Sequence, residues 1–272
     1  MEPKLQRRVQ RYGWDRASEF YSTFWGGQLR PAHEATIRLG DPQVGEHVVD
    51  VACGGGEVTF ETADRVGTNG RVLGLDISEK MVAAARAEAA ARGSTNTSFR
   101  RCDAESLDCE DASFDLALCS LGLMYVPEPA VAVTEMRRVL RPNGRIVVSV
   151  WGERRHCGWA ELFPIVDRRV KSDVCPMFFF LGTPGAIEAT LEHAGFVDVK
   201  VTRLNIGIAY RDTSEAVGAA FLGGPVALPY GRFDDDQRHA VELEYLNSID
   251  EFRDGEGYVV PGEFVIATAA RP

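Results

Sequence analysis

The sequence lacks a long hydrophobic run and any paired-cysteine motif. No window of its 272 residues approaches the roughly 20 apolar residues that a membrane-spanning helix needs, and the segment 1–16 is too polar for a secretory signal. We therefore expect no membrane span and a cytoplasmic location. The six cysteines show no CxxC spacing, which favours free thiols over disulfides or a metal site.

Positive charge is also scarce, with 30 Lys and Arg residues against 40 Asp and Glu residues and a net charge of −10 at pH 7. A surface of this sign repels phosphate backbones, which disfavours a nucleic acid substrate. Arg7, Arg8 and Arg11 form the basic cluster near the N-terminus, and we interpret it as a solvated helix face. The expected partner is a small molecule, and the expected state is a monomer or a homodimer.

From residue 46 onward, short apolar runs alternate with segments of helical period, which indicates a doubly wound α/β fold with a parallel sheet. The predicted strands are 47–52, 71–76, 97–102, 114–119 and 145–151, followed by two β runs at 196–209 and 258–270. Ser78 and Gly93 are predicted to cap one helix, and Thr183 with Pro184 to begin another.

A glycine-rich loop, DVACGGGE, covers residues 50–57 directly after the first predicted strand. Small residues there let the chain turn sharply and approach a ligand at the N-terminus of the next helix. Such loops bind nicotinamide, flavin and phosphate ligands in different protein families. A dinucleotide fingerprint would place Gly or Ala where this chain has Thr59, which weakens the nicotinamide interpretation.

Acidic side chains lie at or near the ends of three successive strands: Asp50, Asp76 and Asp103. Asp76 can accept hydrogen bonds from both ribose hydroxyls of a nucleoside. Asp103 can accept one from the exocyclic amine of an adenine. This pattern favours an adenosine ligand that has no pyrophosphate.

Four segments together resemble the class I S-adenosylmethionine-dependent methyltransferases, particularly the ubiquinone and menaquinone biosynthesis branch. They are VVDVACGGGEVT, VLGLDISEKMVAAAR, RRCDAESLDCEDASFDLALCSLGLMYVPEP and EMRRVLRPNGRIVVSVWG, within about residues 44 to 153. The resemblance implies a Rossmann-like sheet of seven strands in the order 3-2-1-4-5-7-6 with the last strand antiparallel. It also implies S-adenosylmethionine as cofactor and in-line methyl transfer to an O, N, S or C atom of a small molecule.

The resemblance further implies a helical lid at 1–40, a cofactor-binding core at 41–151, an acceptor-side insert at 152–184 and a C-terminal part at 185–272 with a cap near 211–256. The implied cofactor contacts are Asp50, Ala52, Cys53, Gly54, Gly56, Asp76, Ile77, Met81, Asp103, Ala104 and Ser120. We predict Trp25, in the aromatic-rich lid segment, as a further cofactor contact. Ala52 replaces the first glycine of the family's loop, and we expect it to need only a negative φ.

On the acceptor side, the family often has a histidine where this chain reads Leu123-Met124-Tyr125, so the resemblance assigns no general base. The candidates for a catalytic role are Tyr21, Tyr125 and His156. The predicted acceptor contacts are Tyr21, Tyr125, Arg154, Cys157, Trp159 and Cys175. No metal is expected.

Three alternatives stay open from the sequence. Cys157 and Cys175 would hold a soft acceptor such as trivalent arsenic if their thiolates converge near the methyl donor, which would make the protein a thiol or arsenite methyltransferase. A non-catalytic module would retain the cofactor fold as a sensor or scaffold. A nicotinamide oxidoreductase would bind NAD(P) tightly.

Overall fold

The computed structural model describes residues 3–170, 175, 177–224 and 226–272; parts of the predicted lid, insert and cap lie outside these ranges. The strands are β1 His47–Val51, β2 Arg71–Asp76, β3 Thr97–Arg101, β4 Phe114–Ser120, β5 Leu140–Trp151, β6 Val197–Tyr210, β7 Arg253–Asp254 and β8 Gly257–Ala270. The α-helices are α1 Pro3–Ala17, α2 Tyr21–Gly40, α3 Glu57–Val66, α4 Glu79–Arg92, α5 Pro129–Val139, α6 Leu162–Asp167, α7 Ala186–His193, α8 Thr213–Phe221, α9 Ala227–Tyr230 and α10 Asp235–Ser248.

All strands belong to one sheet, in the order β3-β2-β1-β4-β5-β8-β6. Strands β1 to β5 pair in parallel, and β8 runs antiparallel to both β5 and β6. The predicted strand order is therefore confirmed, with β8 as the last strand. The additional β7 has two residues and pairs with β8, and so short a strand leaves no alternating pattern in the sequence.

The predicted ends of α4 agree with the structure, and the predicted start of α7 does not. The Ser78 hydroxyl accepts a hydrogen bond from the Met81 amide, and Gly93 ends α4 in the left-handed conformation, so both predicted caps are confirmed. The predicted helix start at Thr183 and Pro184 is wrong. Gly185 precedes α7 instead, in the left-handed conformation, and the Thr183 hydroxyl donates to the Phe180 carbonyl.

Helices flank the sheet, and α1 reaches the carboxyl ends of β1, β2 and β4, where doubly wound proteins bind ligands. Helix α1 contacts α4 and α9, while α2 contacts β4, β5 and β8 and also packs against α8. Helix α10 contacts both α6 and α8. The helices before β1, after β5 and after β6 therefore form one contiguous group. None of the helices in the described residues is long and apolar enough to span a membrane.

Candidate active site

A cavity of about 750 Å³ lies where β1, β2 and β4 end beneath α1; we call it the strand-end cavity. The predicted cofactor contacts that line it are Ala52, Gly54, Asp76, Ile77, Met81, Asp103, Ala104 and Ser120. Residues chosen from four separate segments of the sequence therefore share one space.

Asp76, the last residue of β2, is the buried carboxylate in the wall of this cavity. One of its oxygens accepts a hydrogen bond from the Gly54 amide at 2.9 Å, and the other accepts one from the Ser78 amide at 2.8 Å. Burial raises its pKa to about 6. Each carboxylate oxygen retains a further lone pair, so Asp76 can also accept from two adjacent hydroxyls of a ligand.

Two non-glycine residues in the wall adopt the left-handed conformation, Ala52 with φ 59° and Leu121 with φ 57°. The expected negative φ at Ala52 is therefore wrong, because the chain bends sharply as it leaves β1. Gly122 makes room for this bend, since a Cβ at that position would lie 2.3 Å from the Ala52 Cβ. Backbone strain of this kind is commonly found at ligand sites.

A second, smaller cavity of about 280 Å³ lies against the glycine loop and is lined by His33, Asp50, Cys53 and Glu57 among others; we call it the loop cavity. The Thr59 hydroxyl donates to Asp50 Oδ2 at 2.6 Å, so the residue that departs from the dinucleotide fingerprint orients the loop carboxylate. Asp50 Oδ1 is buried and has no hydrogen-bond partner in the described residues, and burial raises the pKa of Asp50 to about 7. A cationic ligand group would stabilise this carboxylate.

Gly56 shapes the loop without lining either of these cavities. It precedes α3 with a φ of 95°, and a Cβ there would lie 2.8 Å from the Phe60 ring. Its predicted contact with a ligand is thus replaced by a role in the turn.

A third cavity of about 460 Å³ adjoins the strand-end cavity; we call it the aromatic cavity. Its wall consists of Trp14, Tyr21, Trp25, Leu29, Leu121, Met124, Tyr125, Trp151, Trp159, Leu162, Phe163, Phe178, Ala219, Ala220, Gly223 and Gly224. No Asp, Glu, His, Lys or Arg is present among these described wall residues. The indole Nε1 of Trp159 is buried without a hydrogen-bond partner in the described residues.

Trp14, Tyr21 and Tyr125 stand between the strand-end and aromatic cavities and line both. The Trp14 ring meets Tyr21 and Tyr125 edge-on, with centroid separations of 5.5 and 5.0 Å. Tyr21 also lines the loop cavity. Burial raises the pKa of both tyrosines far above the ordinary value, so at neutral pH their hydroxyls are donors and not bases.

Trp25 does not line the strand-end cavity where a cofactor contact was predicted. It lies in the aromatic cavity, and its indole Nε1 donates to the Ala219 carbonyl at 3.0 Å. The reason is that this face of α2 packs against α8, a contact that the local sequence does not encode.

Several predicted acceptor contacts in the insert lie away from the three cavities. Arg154 pairs with Glu161 at 2.8 Å, and His156 Nδ1 lies 3.1 Å from Glu263 of β8, so this turn is attached to the sheet surface. Trp159, in contrast, lines the aromatic cavity as predicted.

The cysteines show no convergence on a ligand. Cys157 is buried, Cys175 accepts a hydrogen bond from the Gln10 side chain at 3.3 Å, and neither lines the three cavities. Burial raises the pKa of both thiols to about 12, so they are protonated at neutral pH. All six cysteines are free, and the described residues contain no cluster suited to a metal ion.

The contribution of Arg7 and Gln10 of α1 was missed in the sequence. Arg7 was interpreted as solvated, yet its guanidinium pairs with the buried Glu105 and lies 3.4 Å from Asp103. Arg7, Gln10 and Trp14 all line the strand-end cavity. Their i, i+3, i+7 spacing, which places side chains on one helix face, was the available signal.

Comparison with known proteins agrees with this geometry. A protein-family model described as a methyltransferase domain matches residues 42–166 of the sequence. Nocamycin O-methyltransferase of Saccharothrix syringae is 30% identical over 254 residues, which cover 87% of this chain and 89% of that protein. The chain belongs to the S-adenosylmethionine-dependent methyltransferases.

Two further comparisons place this methyltransferase among its relatives. A ubiquinone/menaquinone biosynthesis C-methyltransferase of Cellvibrio japonicus is 35% identical over 124 residues, covering 45% of this chain and 50% of that protein. The fold is shared with Haemonchus contortus phosphoethanolamine N-methyltransferase 2 in complex with S-adenosyl-L-methionine. That pair has a TM-score of 0.63 and 17% identity, with coverage of 95% of this chain and 57% of that one. The cofactor of the methyltransferase is S-adenosylmethionine.

Proposed function

We propose that this methyltransferase methylates an acidic hydroxyl group of a neutral, ring-containing small molecule that binds in the aromatic cavity. The observation that carries the proposal is the contact between two unlike cavities. The polar strand-end cavity and the uncharged aromatic cavity meet at Tyr21 and Tyr125. A methyl donor in the first and an acceptor in the second would be adjacent at that junction.

The residues of the strand-end and loop cavities fit S-adenosylmethionine, which supplies a methyl group on a sulfonium. Asp76 would accept from the ribose hydroxyls, and Asp103 with the Ala104 backbone would bind the adenine amine beside Ile77 and Met81. The partnerless Oδ1 of Asp50 fits the amino group at the methionine end. This assignment accounts for two buried carboxylates whose pKa values are raised in the absence of a cationic or donor-rich ligand.

The acceptor is inferred from what the aromatic cavity offers and what it lacks. Aromatic side chains stack well on planar rings, while an acceptor with charged groups remote from the reacting oxygen would lose their hydration without gaining a counterion from the wall. The buried Nε1 of Trp159 has no partner in the described residues and would donate to an oxygen of the acceptor. These features support a ring compound that bears carbonyl or hydroxyl oxygens.

The described wall residues include no base, which supports an acceptor that needs none. Tyr21 and Tyr125 remain protonated, so the acceptor has to ionise without help, as an acidic phenol or enol does. The tyrosine hydroxyls would orient the attacking oxygen, and the surrounding rings would exclude water. The O-methyltransferase name of the nocamycin relative supports the same class.

The test is an acceptor screen that detects the mass of one added methyl group, with acidic phenols, enols, amines, thiols and arsenite compared at equal concentration. We expect product from fused-ring phenols or enols, and Tyr21→Phe to lower kcat by roughly tenfold with S-adenosylmethionine affinity retained. Tyr12→Phe, exposed on α1, is the matched control. Transfer only to amines, thiols or arsenite would contradict the proposal.

A further inference from the structure

A separate cavity of about 950 Å³ lies beside α1 and is lined by Lys4, Arg7, Arg8, Arg11 and Arg101; we call it the cationic cavity. The four basic residues of α1 follow i, i+3, i+4 and i+7 spacing, which places them on one face of the helix. Arg101 joins them from the end of β3. Five cations thus converge in a chain whose net charge is −10.

Most of these cations have no counterion among the residues that the structure describes. In the described part of the chain, Lys4, Arg8 and Arg101 make no ion pair, and Arg11 Nε is buried without a hydrogen-bond partner. The acidic side chain in the described wall is Asp103, and Arg7 already lies 3.4 Å from it. Like charges four residues apart destabilise a helix, so this arrangement is unfavourable unless an anion is bound.

The proposed cofactor does not account for these cations. The cationic cavity shares Arg7, Ile77, Cys102 and Asp103 with the strand-end cavity, which places it next to the proposed adenine end. S-adenosylmethionine has no phosphate, and its carboxylate belongs to the methionine end at the loop cavity. The proposed cofactor therefore leaves the cluster without a bound counterion.

We propose that the cationic cavity is a second ligand site that binds a phosphate group. Arginine guanidinium groups match phosphate oxygens with paired hydrogen bonds, and several of them around one concave space favour a multiply charged anion over a single carboxylate. The phosphate can belong to a free phosphorylated compound or to a lipid headgroup. Leu5 and Tyr12, exposed on α1, would contact the apolar part of a lipid.

The experiment measures binding of two probes to the full chain. Calorimetry follows inorganic pyrophosphate, and co-sedimentation follows phosphatidylcholine vesicles with and without phosphatidylglycerol. Both are carried out with and without saturating S-adenosylhomocysteine, which prevents phosphate from occupying the glycine loop. The variants are Arg8→Gln and Arg101→Gln, both exposed. Arg71→Gln, exposed at the opposite end of β2, is the control.

We expect one of the two probes to bind in the presence of S-adenosylhomocysteine, and each variant to weaken that binding by about tenfold while Arg71→Gln leaves it unchanged. Pyrophosphate binding identifies a free phosphorylated ligand, and binding restricted to phosphatidylglycerol vesicles identifies a lipid. Absence of both, or equal binding by variants and control, overturns the proposal. Failure of S-adenosylhomocysteine to bind would count against the cofactor assignment alone, because the variants report on the cationic cavity independently.

Discussion

The strand-end cavity and the aromatic cavity share Trp14, Tyr21, Leu121 and Tyr125 but are built in different ways. The first takes most of its wall from the ends of neighbouring strands and the turns that follow them. The second collects rings from α1, α2, the turn after β4, the end of β5 and the insert, and α8 adds Ala219 and Ala220. One cavity positions carboxylates and backbone groups, and the other offers a nearly uninterrupted apolar surface.

This difference teaches that cofactor and acceptor recognition are separable in this fold. Carboxylates at strand ends are oriented by short-range bonds such as those from Thr59 to Asp50 and from Ser78 to Asp76. The rings of the aromatic cavity are positioned by packing among themselves, as in the contact of Trp151 with Trp159 at a centroid separation of 4.8 Å. Changes in one wall should leave the other function intact.

The largest expected effect is at Asp76. Asp76→Asn removes the negative charge and turns an amide donor toward the Gly54 or Ser78 amide, which is also a donor. The hydrogen bonds that the ribose hydroxyls would donate to the charged carboxylate are weakened or lost. We expect S-adenosylmethionine to bind roughly 100-fold more weakly, measured by calorimetry. Asp236→Asn, exposed on α10, is the control. An unchanged affinity of Asp76→Asn for S-adenosylmethionine would contradict the assignment of the strand-end cavity as the cofactor site.

Filling the aromatic cavity should weaken acceptor binding and leave cofactor binding unchanged. A Cβ at Gly224 would meet only the Ala219 and Ala220 carbonyl oxygens, at 3.9 and 4.0 Å, so Gly224→Leu can extend into the cavity without a clash at Cβ. We expect KM for the acceptor to rise by about tenfold and the Kd for S-adenosylmethionine to stay constant. Gly27→Leu on the exposed side of α2 is the matched substitution. A weakened cofactor affinity in Gly224→Leu would contradict the expectation that the two cavities act independently.

The pH dependence should also distinguish the two regions. Burial raises the pKa of Asp76 to about 6 and that of Asp50 to about 7, and in the proposed assignment both bind the cofactor as carboxylates. Protonation therefore competes with binding, and affinity should increase as pH rises from about 5 to about 8. KM for an acceptor whose hydroxyl is ionised throughout this range should change little, because Tyr21 and Tyr125 do not ionise there. Calorimetry and steady-state kinetics across this range measure the two trends, and a cofactor affinity that falls with rising pH would contradict the assignment.

The smallest expected effect concerns α2, which carries Tyr21 to the junction and His33 to the loop cavity. Gly27 lies in this helix, is exposed, and has open space around its Cβ position. Gly27→Ala should raise the free energy of unfolding by about 0.5–1 kcal/mol, measured by urea denaturation. Cofactor affinity and acceptor KM should not change; a shift in either would show that α2 needs backbone freedom for binding.

Much of the strand-end cavity could be predicted from the sequence. Asp76, Ile77, Met81 and Asp103 follow strands or begin helices whose limits are marked by apolar runs and caps, and the structure brings them together. Their position depends on the rule that parallel strands end at the same edge of the sheet. The aromatic cavity could be predicted only in part, through Tyr21, Tyr125 and Trp159.

The sequence by itself determined the alternation of strands and helices, the Ser78 and Gly93 caps and the acidic strand ends, because each depends on interactions within a few residues. Tertiary structure alone decided three other features: the contact of Trp25 with a carbonyl 194 residues away, the pairing of Arg7 with Glu105, and the left-handed turn at Ala52 beside Gly122. These contacts join segments that are distant in the chain, and their geometry follows from packing that no local pattern records.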